Sequence, residues 1–224
     1  MKSAVLLLSG GLDSTTTLAI AKDMGFCVNA LTIVYGQRNG VELMSAKKVV
    51  EHLGVQEHKI LELNLRMFGG SALTDDIAVR SHENNDPQEI PNTYVPARNT
   101  IMLSLALAYA EVSGADDIFF GANVHDYSGY PDCRPEYIDA FEKMANLAVK
   151  SATLGHSIRI HAPLVNLTKA QIIARGMRLG VRYELTHSCY NPEGLLACGA
   201  CSACFYRRKG FLDAGISDPT KYMN

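Results

Sequence analysis

The chain opens on an apolar run at residues 4–8, breaks at a glycine pair, and then alternates blocks of two periods. Residues 12–24 carry helix-forming sequence up to Gly25, a natural left-handed stop, and residues 28–34 read as a buried parallel strand. The pattern repeats, with a helix over 41–53 ended by Gly54 and a strand over 58–63. After a polar excursion at 64–95 with prolines and no sustained period, the spacing predicts a buried helix over 98–112 and a strand over 118–121. An amphipathic helix over 136–154, a strand over 158–164 and a helix over 169–179 capped by Thr168 follow. Strands alternating with helices of this length predict an α/β fold: a doubly wound, mainly parallel five-stranded sheet with helices on both faces. Residues 1–180 form the expected α/β domain, and residues 181–224 a small C-terminal helical segment packed on it.

The first strand delivers the most informative stretch, Ser9-Gly10-Gly11-Leu12-Asp13-Ser14-Thr15. Two glycines allow a tight turn with bare backbone N–H groups, and the hydroxyl-rich helix that follows offers its positive dipole end to an anion. A phosphate loop of the kinase or GTPase kind needs a Lys after its second glycine, and none is present. Asp13 would repel phosphate unless it caps backbone N–H groups or binds a metal, so the loop argues against γ-phosphoryl transfer.

Strand exits in such a sheet line the ligand crevice, which places Gln37, Arg38 and Glu42 at the site. Arg98 and Asn99 open a helix, where a guanidinium can meet phosphate or carboxylate bidentately. The exit at 122–134 is rich in functional groups: Tyr127 offers stacking, Asp132 an acceptor for amidine-like N–H groups, and Arg134 a cation, a set that suits a flat heterocycle. Cys133 and Lys169 read more simply as a small buried thiol and a surface lysine, and the run Arg207-Arg208-Lys209 as a solvated face.

Composition narrows the partners. The chain has 224 residues, 47% of them hydrophobic, and 21 Lys and Arg balance 23 Asp and Glu, which gives no broad electrostatic grip for nucleic acid. No signal sequence opens the chain and no apolar run approaches the roughly 20 residues of a membrane span, so a soluble cytoplasmic protein is expected. Four of the six cysteines are Cys189, Cys198, Cys201 and Cys204. In a reducing compartment they read as ligands of tetrahedral zinc, with an iron–sulfur cluster as the alternative; four filled positions make the metal a staple, with no place for an activated water.

The stretch Ser9 to Thr15 resembles the pyrophosphatase loop of the ATP-pyrophosphatase superfamily, which splits ATP between its α- and β-phosphates and adenylates a substrate. With Tyr35-Gly36-Gln37-Arg38, residues 94–100 and 126–134, Ser188-Cys189-Tyr190, the cysteine run and Asp218-Pro219-Thr220, nearly the whole chain resembles the 7-cyano-7-deazaguanine synthase family of the queuosine pathway. The resemblance implies an adenine-nucleotide-hydrolase-like fold. It also implies an ATP-dependent ligase, assembled as a homodimer, that turns 7-carboxy-7-deazaguanine and ammonium into the nitrile by way of an adenylated carboxylate and an amide.

In that reading Leu8, Ser9, Gly10, Gly11, Leu12, Asp13, Ser14, Thr15, Thr16, Thr17 and Leu18 hold the ATP phosphates with Mg2+, and the four cysteines hold one zinc ion. Asp13, Ser14 and Arg98 are expected to serve catalysis, and by their own chemistry, apart from the resemblance, Gln37, Arg38, Asn99, Tyr127, Asp132 and Arg134 are expected to contact the small-molecule substrate, with no nucleic acid or membrane partner. One departure is Asn39, where the family usually has His. The competing readings are a tRNA-thiolating or lysidine-forming enzyme, which needs an RNA surface, and a non-catalytic adenine-nucleotide module, which needs no second heterocycle site.

Overall fold

The computed structural model describes residues 2–37, 40–85, 89–124 and 130–223. Arg38, Asn39 and Tyr127 lie outside them. β1 (Ser3–Leu7), β2 (Cys27–Val34), β3 (Glu57–Glu62), β4 (Asp117–Phe119) and β5 (Arg159–His161) form one sheet in the order β3-β2-β1-β4-β5, all pairs parallel. The order runs outward in both directions from β1. The doubly wound expectation is therefore met, with the topological switch between β1 and β4.

The helices are α1 (Leu12–Asp23), α2 (Val41–Leu53), α3 (Arg98–Ser113), α4 (Pro135–Ala148), α5 (Lys150–Thr153), α6 (Lys169–Arg178) and α7 (Ser202–Asp213). Alternation along the strands sorts them into two layers. Val5, Leu31, Ile33 and Ile118 face Leu103, Leu107, Ile138 and Phe141 of α3 and α4. Ala4, Leu6, Val28 and Ala30 face Leu18 of α1 and Ala46 and Val49 of α2. A third cluster joins Ile20 of α1, Ile172 and Ile173 of α6 and Phe211 of α7, which seats the C-terminal segment on the helix layer formed by α1 and α6. Among the described residues no helix is long and apolar enough to cross a membrane.

Several local expectations change. The helix expected over 136–154 is two, because Val149 leaves helical geometry (φ −99°, ψ 147°) to bury its side chain among the α3 and α4 core residues. The fifth strand is shorter than its apolar run, and α3 buries one face only, leaving Val112 at the surface. Among its described residues the excursion after β3 holds as regular structure only short turns at Leu65–Met67 and His82–Asn84, yet it is pinned. The His82 backbone N donates to Ala200 O at 2.8 Å, its ring stacks on Phe205 at 3.7 Å, and Asn85 Nδ2 donates to Ser202 Oγ at 2.8 Å. Thr168 caps α6 as expected, in a reciprocal box: its hydroxyl accepts from Gln171 N at 3.3 Å, and its own N–H donates to Gln171 Oε1 at 2.8 Å.

Candidate active site

The glycine loop at the end of β1 is closed by its own hydroxyls. Ser14 Oγ lies 3.0 Å from Ser9 Oγ and accepts from Ser9 N at 3.2 Å, and Gly11 N donates to Ser9 Oγ at 3.2 Å. Gly10 has φ +85°, and a Cβ there would collide with the backbone of Glu42 and Ala46, so this glycine lets α2 approach the loop. α1 begins after Gly11 without a side-chain cap. Gly11 thus offers its helix no side-chain acceptor of its own at the position where an anion would sit.

Beyond the loop opens a cavity of about 250 Å³ at the carboxyl ends of β1, β2 and β4, where an open α/β sheet takes its ligand. Leu8, Ser9, Gly11, Leu12, Asp13 and Ser14 line it, and so do Gln37, Arg98 and Asn99. Gly10, Thr15, Thr16, Thr17 and Leu18 stand behind this wall. Thr15, Thr16 and Thr17 return their hydroxyls to carbonyls of the preceding turn, and Leu18 is fully buried in the core. Asp132 is not among the described lining residues: its Oδ2 accepts from Asn99 N at 3.1 Å, which caps the start of α3. Arg134 also lies off the wall, with Nε donating to Pro131 O at 3.2 Å.

Two cations that the sequence places on the surface are interior. The Lys169 side chain, 11% exposed, holds both oxygens of Asp13 at 2.7 and 2.9 Å at the cavity edge. The pair removes the anionic repulsion that Asp13 would otherwise set against a phosphate. Arg207, expected in a solvated run, is 3% exposed; it pairs with Asp218 Oδ1 at 3.2 Å and donates to Thr186 Oγ1 at 2.8 Å and Tyr183 O at 3.0 Å. Adjacent charges in a sequence resemble a solvated face, and only the docking of α7 onto α6 turns one of them inward.

Electrostatics inside the cavity is set by burial. Glu42 is pushed up to about 7 by desolvation, with the Arg98 charge and a bond from Gln37 pulling the other way. Tyr35 is pushed up to about 12 by burial and stays neutral. Arg98 stays charged in spite of burial, its guanidinium 5.9 Å from the Tyr35 ring centre. It is presented by Ala97, the one non-glycine residue at positive φ (54°) among those described, a strained turn placed at the start of α3. The Cys133 thiol is pushed up to about 11, chiefly by burial and then by the Asp132 charge, so at neutral pH it is no thiolate nucleophile.

The C-terminal segment braces the loop from the other side. His187 N donates to Gly10 O at 3.0 Å, and Leu12 N donates to Ser188 Oγ at 3.4 Å. The His187 ring, buried and at the cavity wall, is held neutral by desolvation and the Arg207 charge, and its Nε2 has no hydrogen-bond partner among the described residues. The next residue but one is Cys189. Its sulfur and those of Cys198, Cys201 and Cys204 lie within 4.8 Å of one another, with Cys198 and Cys204 at 3.9 Å and Cys201 and Cys204 at 3.5 Å. A tetrahedral ion with bonds of about 2.3 Å to sulfur requires sulfurs about 3.8 Å apart, so the four thiols could hold a metal ion such as zinc.

Residues 3–215 match the family described as queuosine biosynthesis protein QueC. A protein named 7-cyano-7-deazaguanine synthase from Paramagnetospirillum magneticum is 59% identical over 228 residues, covering 100% of both chains. Another of that name from Desulfatibacillum aliphaticivorans is 60% identical, covering 99% of this chain and 97% of its own. Among solved structures, NMN synthetase from Francisella tularensis has a TM-score of 0.53 at 19% identity over 96% of this chain and 77% of that one, a likeness of fold alone.

Proposed function

The chain belongs to the family described as queuosine biosynthesis protein QueC, and from that premise we propose that it is an ATP-dependent carbon–nitrogen ligase acting on 7-carboxy-7-deazaguanine and ammonium to give 7-cyano-7-deazaguanine. The observation that carries the mechanism is the shared cavity: the glycine-hydroxyl loop, Lys169 and Arg98 all open onto one space. A carboxylate is a poor electrophile until its oxygen becomes part of a good leaving group. In this site the ATP phosphates lie on the α1 N-terminus and the loop N–H groups, and the substrate carboxylate attacks the α-phosphorus with release of pyrophosphate.

Ser14 and the first N–H groups of α1 stabilise the phosphate charge, and Lys169 stands ready to share it. Asp13 is the loop carboxylate that would hold Mg2+, which when bound offsets phosphate charge. Arg98 steadies the acyl oxygen as ammonia adds and AMP departs with the bonding electron pair. The amide oxygen then takes the same course. Converting a carboxylate to a nitrile removes both of its oxygens, and each leaves on an AMP.

The metal proposed for the four cysteines is zinc, held with every ligand place filled by sulfur and so acting as a staple for residues 181–224 on the α/β domain. A cytoplasmic homodimer is the assembly we propose with it.

The test is the purified protein with ATP, ammonium and the deazaguanine acid, followed by mass spectrometry and nucleotide analysis. The expected result is nitrile with about two AMP per product, by the oxygen balance above, and no AMP from Asp13→Ala or Ser14→Ala at unchanged circular dichroism. Formation of ADP in place of AMP, or normal turnover by both variants, would refute the loop assignment.

A further inference from the structure

Among the described residues the cavity wall carries two carboxylates, Asp13 and Glu42. Asp13 is held by Lys169 beside the phosphate loop, and Asp132 serves the α3 backbone off the cavity wall. Glu42 stands differently. It sits in the first turn of α2, at the exit of β2, with Oε2 3.5 Å from Gln37 Nε2. Gln37 is fixed by its other end, because its Oε1 accepts from Tyr35 N at 2.8 Å, so its amide N–H groups are turned toward Glu42. Arg98 acts on the Glu42 carboxyl from α3, and Tyr35, Met102 and Tyr130 add flat or apolar wall. The cavity thus offers a carboxylate next to amide and guanidinium donors, between aromatic surfaces.

That set is the complement of one ligand feature: two neighbouring N–H donors beside a carbonyl, on one edge of a planar ring. Resting on the ligase reading above, we infer that Glu42 is the specificity-determining residue that accepts from the ring N–H and exocyclic amine of the deazaguanine acid, with Gln37 and Arg98 donating to its ring carbonyl. Burial raises the Glu42 carboxyl to about 7, so its desolvation outweighs what Arg98 and Gln37 supply to its charge. Two N–H donors from the ligand supply what is missing. The titratable groups facing it are Tyr35, kept neutral by burial, and Arg98, kept charged. Binding of the acid therefore weakens as pH falls below about 7, where Glu42 takes up a proton.

The experiment measures acid-dependent exchange of pyrophosphate into ATP, with the acid and with its analogue lacking the exocyclic amine, in wild type and Glu42→Gln. A buried acceptor left unpaired rejects an analogue strongly, so the wild type should prefer the amine-bearing acid by at least about a hundredfold in kcat/KM. Glu42→Gln should lose about a hundredfold on the natural acid, shrink the preference to about tenfold or less, and keep the KM for ATP within about threefold. The wild-type analogue comparison needs no variant and stands even if the substitution perturbs folding. A wild type indifferent to the amine, or a Glu42→Gln protein that keeps the full preference, overturns the assignment. So does a loss confined to the KM for ammonium, which would give Glu42 to the nitrogen donor. Absence of any acid-dependent exchange in the wild type would instead bring down the ligase reading, and this inference with it.

Discussion

Asp218→Ala strips a buried cation of its counter-ion. Asp218 Oδ1 accepts from Arg207 Nε at 3.2 Å and from Thr220 N at 3.0 Å, and Oδ2 accepts from Tyr222 OH at 2.5 Å. The side chains of the pair are 3% and 11% exposed. Breaking such a pair by removing one partner costs about 3–5 kcal/mol, because the remaining charge stays desolvated. At about 2–4 °C per kcal/mol for a chain of this size, the melting temperature should fall by roughly 6–20 °C. Asp218→Asn keeps the shape and one acceptor oxygen and should fall between, since charged hydrogen bonds are about twice as strong as neutral ones.

The pH dependence follows from sign. Burial alone would raise the Asp218 carboxyl, but Arg207 and the bonds from Tyr222 and Thr220 outweigh it and hold it below its ordinary 3.8. A depressed carboxyl contributes stability that is fully present above 3.8 and is lost as pH falls through the folded value, so the gap between wild type and variant should close in acid. Melting followed by circular dichroism in metal-replete buffer across that range measures it. ATP affinity should fall too, because Arg207 also reaches Ser188 Oγ at 3.4 Å, the acceptor for Leu12 N at the head of the loop. A variant within about 1 kcal/mol of wild type at pH 7 would refute the argument that this ion pair is desolvated.

Two further outcomes are expected. Cys133, with a thiol raised to about 11, should alkylate slowly at pH 8, and Cys133→Ser should turn over within about threefold of wild type; a hundredfold loss would restore it as a nucleophile. Elemental analysis should give about one zinc per chain, and removing it by chelation, or Cys201→Ser, should lower the melting temperature and weaken ATP binding, because Cys189 neighbours the two residues that brace the loop. A visible iron–sulfur chromophore would overturn that metal assignment.

The elements, the parallel sheet and the glycine-hydroxyl turn after β1 were legible in the chain because each rests on local rules: a two-residue strand period, a glycine where φ must be positive, a hydroxyl cap three residues before its partner. The cysteine spacing was legible for the same reason. Val149 was not, since nothing in its own neighbourhood ends a helix; the pull comes from a core assembled by distant strands. Lys169 and Arg207 read as solvent-facing because the sequence shows charge without surroundings. Their partners Asp13 and Asp218 lie 156 and 11 residues away, and burial, which gives those contacts their strength, exists only once α6 and α7 have docked. Asp132 and Glu42 exchange significance in the same way: chemistry alone qualifies both carboxylates, and the fold decides which faces a backbone amide and which faces the cavity. What a residue type can do is written locally, whereas desolvation and distance, which decide what it does here, are properties of the packed whole.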